Sequence, residues 1–116
     1  MPVRFLSMVR VHENGQKPSE RLMAEMGKLM QEMTAKGALL DTAGLHPTAE
    51  GIRLRNDHGK YSRTDGPFTE TKEVIGGFAL LKADSLEEAL ALTRRFLEVH
   101  GDEWNVECEV RQIADF

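Results

Sequence analysis

The feature that most limits the fold of this chain is the order of its hydrophobic patterns. Apolar residues recur every second position in some stretches, as in a strand, and at helical spacing in others. Residues 3–11 alternate apolar and mixed side chains, which is typical of a β-strand. Residues 22–33 place their apolar side chains at helical spacing, in a helix entered near Pro18–Ser19 and stopped by Gly37. An apolar strand pattern follows Gly37, and residues 51–63 indicate a hairpin with its turn at 56–59. Residues 74–83 are apolar on both faces of a strand, where Gly76 and Gly77 permit the close approach of another backbone. A second helical stretch covers 86–97, and a final alternating stretch covers 104–112. The pattern predicts strand, helix, strand, extra hairpin, strand, helix, strand.

Two amphipathic helices set between such strands must cover one face of an antiparallel sheet. We therefore expect a single α+β domain over residues 1–116, with a ferredoxin-like sheet, two helices on one face and an extra hairpin. Ser85 and Glu88 fit a capping box at the start of the second helix. The inner stripe of that helix is expected to consist of Leu86, Ala89, Leu90, Thr93 and Leu97.

The other face of the predicted sheet carries Leu6, Met8 and Leu80 among charged residues. A half-apolar face of this kind is usually buried against a partner. The simplest partner is a second copy of the chain, with the two sheets face to face around a two-fold axis. We therefore expect a homodimer that forms a dimeric α/β barrel.

Composition excludes several functional classes. Lys and Arg number 15 against 19 Asp and Glu, so the formal charge of −4 argues against direct nucleic-acid binding. The N-terminus resembles neither a signal peptide nor a membrane span, so we expect a cytoplasmic protein without a membrane partner. The single cysteine, Cys108, forms no intramolecular disulfide and no cysteine-based metal cluster. Because metal, phosphate and dinucleotide motifs are absent, we expect no metal and no cofactor.

Polar residues surround a turn that leads into an apolar strand, in the sequence TDGPFTETKEVIGGF at 64–78. Asp65, Gly66 and Pro67 have turn chemistry, because Asp accepts local hydrogen bonds, Gly relieves steric limits and Pro fixes φ. The turn does not require the charged Glu70 and Lys72 directly behind it. We expect some of these charges to line an edge or the mouth of a cavity.

The same sequence resembles the signature of the DGPF-domain proteins, a branch of the YCII-related family of small dimeric α/β-barrel proteins. The likeness extends to GALLDTAGLHP upstream, to LEEAL on the second helix and to EVRQI near the end. It implies a ferredoxin-like fold that dimerises into a barrel. It also implies a possible regulatory partnership, because DGPF proteins are encoded beside, or fused to, extracytoplasmic-function sigma factors.

Members of the wider YCII-related group have been suggested to be small enzymes with a His–Asp pair in a cleft. The resemblance matches their aspartate to Asp65, but Met26 stands at the place of their histidine on the first helix. His46, in the GLHP segment, is the alternative histidine. Beside Asp65 it would serve as a general acid or base, or the two side chains would simply fix two loops. His12 is a weaker candidate.

Ligand binding is the leading hypothesis, with a small polar ligand near the DGPF loop. The residues expected to contact it are Arg53, Glu70, Lys72 and Arg111. Two alternatives remain open: a small cofactor-free acid–base enzyme that uses His46 and Asp65, and an interaction module that binds a sigma factor. His58 and His100 are expected to be structural or solvated.

Overall fold

The structure is a computed structural model that describes residues 2–68 and 72–115. Over these residues the chain forms six β-strands, two α-helices and one short 3-10 turn. Their bounds in chain order are β1 Val3–Val11, α1 Glu20–Ala35, β2 Leu39–Gly44, the 3-10 turn Thr48–Glu50, β3 Ile52–Asp57, β4 Lys60–Asp65, β5 Val74–Ala83, α2 Leu86–His100 and β6 Val106–Gln112.

The strands form an antiparallel sheet in the order β2-β5-β1-β6 and a separate β3–β4 hairpin. This confirms the predicted α+β, ferredoxin-like arrangement. The central strands are β1 and β5, and the buried Phe5 lies opposite Leu81 between them. Gly77 lies opposite Gly44 at the sheet edge, where an added Cβ would come within 2.8 Å of the Ala43 carbonyl oxygen. The glycine therefore permits the close approach of β2 that the sequence predicts.

Helix α1 begins where the sequence predicts. The Ser19 hydroxyl caps it by accepting a hydrogen bond from the Leu22 amide. Leu22, Leu29 and Met33 are buried on its inner stripe, with Met26 and Met30 partly buried beside them. Met26, Met30 and Met33 therefore face the interior, as their helical spacing predicts, whereas Met23 is 62% exposed.

Helix α2 also has its predicted cap, because the Ser85 hydroxyl accepts a hydrogen bond from the Glu88 amide. Its predicted inner stripe is confirmed at Ala89 and Thr93, which are buried, but it is wrong at Leu86 and Leu90, which are 47% and 46% exposed. The buried face of α2 also includes His100. The small side chain of Ala89 allows α2 to pack closely, and the two leucines lie to one side of the contact.

The β3–β4 hairpin projects from the body, and every residue of both strands is exposed. Its turn is His58–Gly59, and both residues have a positive φ, of 51° and 94°. Glycine adopts such a φ readily, which suits Gly59 to this turn. Ile52, Leu54 and Tyr61 share one face of the hairpin with the Arg63–Asp65 ion pair. This is the extra hairpin that the sequence predicts.

The sheet face away from the helices has the mixed character expected from its sequence. Leu6 lies opposite Leu80, and Met8 lies opposite Phe78, all of them half-buried. Charged residues border this patch, including Arg10, which pairs with Glu107 at 2.9 Å. We call the four residues Leu6, Met8, Phe78 and Leu80 the outer apolar patch.

Candidate functional site

A cleft of about 1180 Å³ opens along α1. Besides α1, the segments that border it are residues 12–18, 44–49, 67–68, 72–76 and the region 96–106. Protein sites for small organic ligands are usually between about 300 and 1,000 Å³. The cleft is therefore large enough for a small molecule.

The chemistry of the cleft differs between its floor and its mouth. The floor is formed by apolar side chains, including Leu22, Met26, Met30, Phe96 and Trp104. The exposed side chains that line the cleft include the polar groups His12, His46 and Lys72, which form its mouth. An apolar surface with a few polar groups at one side is the usual composition of a small-molecule site.

Thr48 joins three of the segments that surround the cleft. Its amide and its hydroxyl both donate to the carboxylate of Glu13, the amide at 2.7 Å. Its hydroxyl oxygen accepts from the Phe68 amide at 3.4 Å. The hydrogen bonds from Thr48 hold the pKa of Glu13 below its ordinary value, so this carboxylate stays ionised and bound. Thr48 thus fixes the rim that carries His46.

The Asp-Gly-Pro-Phe segment packs against the same turn. The Gly66 amide donates to the Gly51 carbonyl at 2.9 Å, and a Cβ on Gly66 would lie 1.6 Å from the Thr48 carbonyl oxygen. The Phe68 ring lies under the Arg53 guanidinium, 3.8 Å from its centroid. We call residues 65–68 the clasp loop, because it holds the 3-10 turn and the start of β3.

Two of the residues predicted from the sequence line the cleft. His46 is 84% exposed at the side chain, and its Nδ1 lies 3.1 Å from a carboxylate oxygen of Glu50. Lys72 is exposed at the mouth. Because His46 lies in the loop after β2 and Lys72 precedes β5, the pairing of β2 with β5 brings both to one end of the sheet.

The other predicted residues lie elsewhere. Asp65 is hydrogen-bonded to the Nε of Arg63 at 2.9 Å, so the structure pairs His46 and Asp65 with different side chains. Arg53 packs on Phe68. Arg111 lies on β6 beside Leu6, outside the cleft, and Glu70 is outside the described residues.

His100 is the cleft residue that the sequence reasoning missed. It is 9% exposed, and its Nδ1 lies 2.9 Å from the Phe96 carbonyl oxygen, which accepts its proton. The ring meets Phe96 edge to face at a centroid distance of 4.7 Å. With Nδ1 used in this way, Nε2 is the nitrogen available to a ligand. Its spacing of seven from Thr93 is the signal that would have placed it on the inner face.

Within the described residues, no three His, Cys, Asp or Glu side chains converge in a way that could hold a metal ion. No helix in that part of the chain is long and apolar enough to cross a membrane. Cys108 is half-buried, and burial raises the pKa of its thiol.

These features define a class of protein: a small α+β domain with a ferredoxin-like sheet and a ligand-sized cleft between the helices and one sheet end. The family model of the YCII-related domain matches residues 3–113. The chain belongs to the YCII-related family, which confirms the family predicted from its sequence.

A similar protein is the uncharacterized protein R00369 of Rhizobium meliloti (strain 1021). The two are 39% identical over 75 residues, which cover 65% of this chain and 60% of that protein. The match thus spans less than two thirds of the relative's length. The name of that protein states no activity.

Proposed function

We propose that this YCII-family protein is a cytoplasmic homodimer that binds a small molecule in the cleft beside the clasp loop. The observation that carries the proposal is the contrast between the apolar floor and the donor groups at the mouth. His46 and Lys72 contact the polar part of the ligand, and Met26 and Phe96 contact its apolar part. The clasp loop keeps the rim in place while the ligand binds.

Methionine methyl groups offer a direct test of this site. Met23, Met26 and Met30 line the cleft, whereas Met8 belongs to the outer apolar patch. In a protein labelled at its methionine methyls, a ligand from a small-molecule screen should shift the three cleft signals. The Met8 signal serves as the internal control and should not respond. A screen in which no compound moves the cleft signals would contradict the proposal.

Dimerisation is supported by the outer apolar patch. Burying Leu6, Met8, Phe78 and Leu80 against a second copy removes apolar surface from water, which stabilises the pair by about 25 cal/mol for each Å² buried. The dimer is also the state that the sequence pattern favours. Ion pairs such as Arg10–Glu107 then lie near the border of the interface.

The dimer is tested by its mass in solution. Light scattering should give twice the chain mass of 13.0 kDa for the unmodified protein. The variant Leu80→Asp should be monomeric, whereas the control Leu54→Asp, at a position 80% exposed on the hairpin, should remain dimeric. A monomeric unmodified protein would overturn the dimer and leave the patch for another protein, as in the sigma-factor alternative.

The acid–base enzyme is a weaker proposal for the same cleft. His46 lies on its rim, but Asp65, the group expected to orient it, is paired with Arg63. At its exposed position His46 has Glu50 as its partner instead. Ligand binding needs only the residues that already line the cleft, so it is the function that the geometry supports best.

A further inference from the structure

We infer that the ligand of the cleft is an anion, of the carboxylate class, attached to an apolar group about the size of a phenyl ring. This inference rests on the proposed function and names its ligand class. It follows from a second, smaller space between the helices and the sheet, and from the balance of charged and hydrogen-bonding groups at the mouth. Each observation specifies one half of the ligand.

The smaller space, which we call the inner chamber, adjoins the cleft. It has a volume of about 190 Å³ and lies between the inner sheet face and the two helices. The residues that line both spaces are Val9, Met30, Gly44, Gly76 and Phe96. Two of these shared residues are glycines, so side chains take little room where the two spaces meet. A ligand in the cleft can therefore extend an apolar group into the chamber.

The inner chamber offers apolar contacts and few free hydrogen-bonding groups. Met33, Leu39 and Leu81 form part of its wall. The Thr93 hydroxyl donates to the Ala89 carbonyl oxygen at 2.9 Å. No buried side-chain nitrogen or oxygen lacks a hydrogen-bond partner anywhere in the described part of the chain. A polar group placed here would lose its hydration without compensation, so the chamber favours an apolar group.

The volume of the chamber gives the size of that group. An engineered apolar cavity of about 150 Å³ in another protein binds benzene. At about 190 Å³, the inner chamber is slightly larger. A phenyl ring therefore fits it. The ring would also contact Phe96, where offset or edge-to-face packing is favourable.

The mouth specifies the opposite end of the ligand. Lys72 is a cation there, and the ring of His12 can donate through nitrogen. The Nδ1 atoms of His46 and His100 are already used on Glu50 and on the Phe96 carbonyl oxygen. Among the described residues that line the cleft, Glu13 is the one carboxylate, and Thr48 binds it through two hydrogen bonds. The whole chain has a net charge of −4, so a cation at this mouth runs against its general composition. Lys72 and His12 bind an anionic head group better than a cation or an alcohol.

The test compares four probes by the same methionine-methyl titration. They are 4-phenylbutyrate, which has both halves; butyrate, which lacks the ring; and the neutral 4-phenylbutanamide and 4-phenylbutanol, which lack the charge. We expect 4-phenylbutyrate to bind at least tenfold more tightly than each of the others. Its binding should shift the signals of Met30, at the junction, and Met33, in the chamber wall. Equal affinities for the acid and the amide would overturn the anionic assignment.

Two variants test the apolar group and the anionic group of the ligand separately. Ala79 lines the chamber and not the cleft, so Ala79→Leu should fill the chamber and weaken 4-phenylbutyrate at least tenfold while leaving butyrate unchanged. Lys72→Met should weaken the acid but not the amide. The controls are Ala24→Leu and Lys60→Met, at exposed positions outside both spaces. If Ala79→Leu fails to fold, the smaller Ala79→Val provides the same comparison.

The outcomes distinguish this inference from the proposed function. Binding of 4-phenylbutyrate to Ala79→Leu within twofold of the unmodified protein would overturn the role of the chamber. If none of the four probes shifts a cleft methyl while the broader screen finds another ligand, the ligand class is wrong and the proposed function stands. If the screen also finds no ligand, both the ligand class and the proposed function are wrong.

Discussion

Gly66 in the clasp loop provides the sharpest prediction for stability. A methyl group at this position would lie 1.6 Å from the Thr48 carbonyl oxygen and 2.7 Å from its carbon. Ordinary contacts of a Cβ atom are 3.4 Å or longer, so the loop and the turn must separate by about 1.8 Å, the difference between 3.4 and 1.6 Å. The obstacle is backbone on both sides and cannot rotate away. Gly66→Ala should therefore displace the clasp loop from the 3-10 turn.

The magnitude follows from the contacts that such a displacement breaks. The Gly66 amide loses the Gly51 carbonyl at 2.9 Å, and the Phe68 amide loses the Thr48 hydroxyl oxygen at 3.4 Å. Each hydrogen bond contributes a net ~1 kcal/mol, and overpacking adds about 1–3 kcal/mol. We expect Gly66→Ala to lower the free energy of unfolding by about 3–5 kcal/mol, a large share of the ~5–15 kcal/mol of a typical domain.

Urea denaturation followed by the fluorescence of Trp104, the single tryptophan, measures this loss. Gly27→Ala is the matched control, since nothing lies within 4 Å of the added methyl group and the residue is inside α1. Because alanine favours helix over glycine, the control should gain about 0.5–1 kcal/mol. A Gly66→Ala protein within about 0.5 kcal/mol of the unmodified one would refute the steric argument.

Three further predictions concern the cap of α2, an ion pair and the cysteine. Ser85→Ala should cost about 1 kcal/mol in urea denaturation, with the exposed Ser62→Ala as a neutral control. A hydrogen bond from Arg21 holds the pKa of Glu103 below its ordinary value, so its stabilisation is complete above the ordinary carboxyl range and is lost as pH falls through the lowered pKa. Acid unfolding should therefore be less steep in Glu103→Gln, and an unchanged curve would contradict the assignment. Burial raises the pKa of Cys108, so iodoacetamide at pH 8 should modify it slowly in the folded protein and much faster in urea; equal rates would contradict its burial.

The fold was predictable because its signals are local. The alternation over 3–11 and the helical spacing over 22–33 are each contained within one element. Ser19 and Ser85 mark helix starts through hydrogen bonds to residues three positions away. Gly59 marks the hairpin turn through its own positive φ. None of these inferences required knowledge of distant contacts.

The face of α2 was predictable only in part. The predicted stripe contains the buried Ala89 and Thr93, but it also contains Leu86 and Leu90, which are exposed. The leucines are the more hydrophobic side chains, so the pattern places the centre of the stripe too close to them. The exact rotation of the helix depends on the distance between helix and sheet, which composition does not encode.

The site was predicted in part for a related reason. Strand pairing brings His46 and Lys72 to one end of the sheet, and the sequence order of the strands is enough to anticipate that. The contact of Arg53 with Phe68 depends on how the hairpin leaves the sheet, which is a matter of tertiary packing. Asp65 instead pairs with Arg63, two positions away on the same face of β4, and that local contact was overlooked. Thr48, which joins three segments, has no sequence signature of its own.

The clasp loop has a consequence for engineering. Gly66 and Phe68 hold the rim through contacts with Thr48 and Gly51, whereas the floor of the cleft includes Met26 of α1. The residues that fix the rim and the residues that contact the ligand are therefore different. Replacing Met26 can change which ligand binds without altering the contacts of the clasp loop. A library of variants with a fixed clasp loop would therefore explore new ligands while the rim is retained.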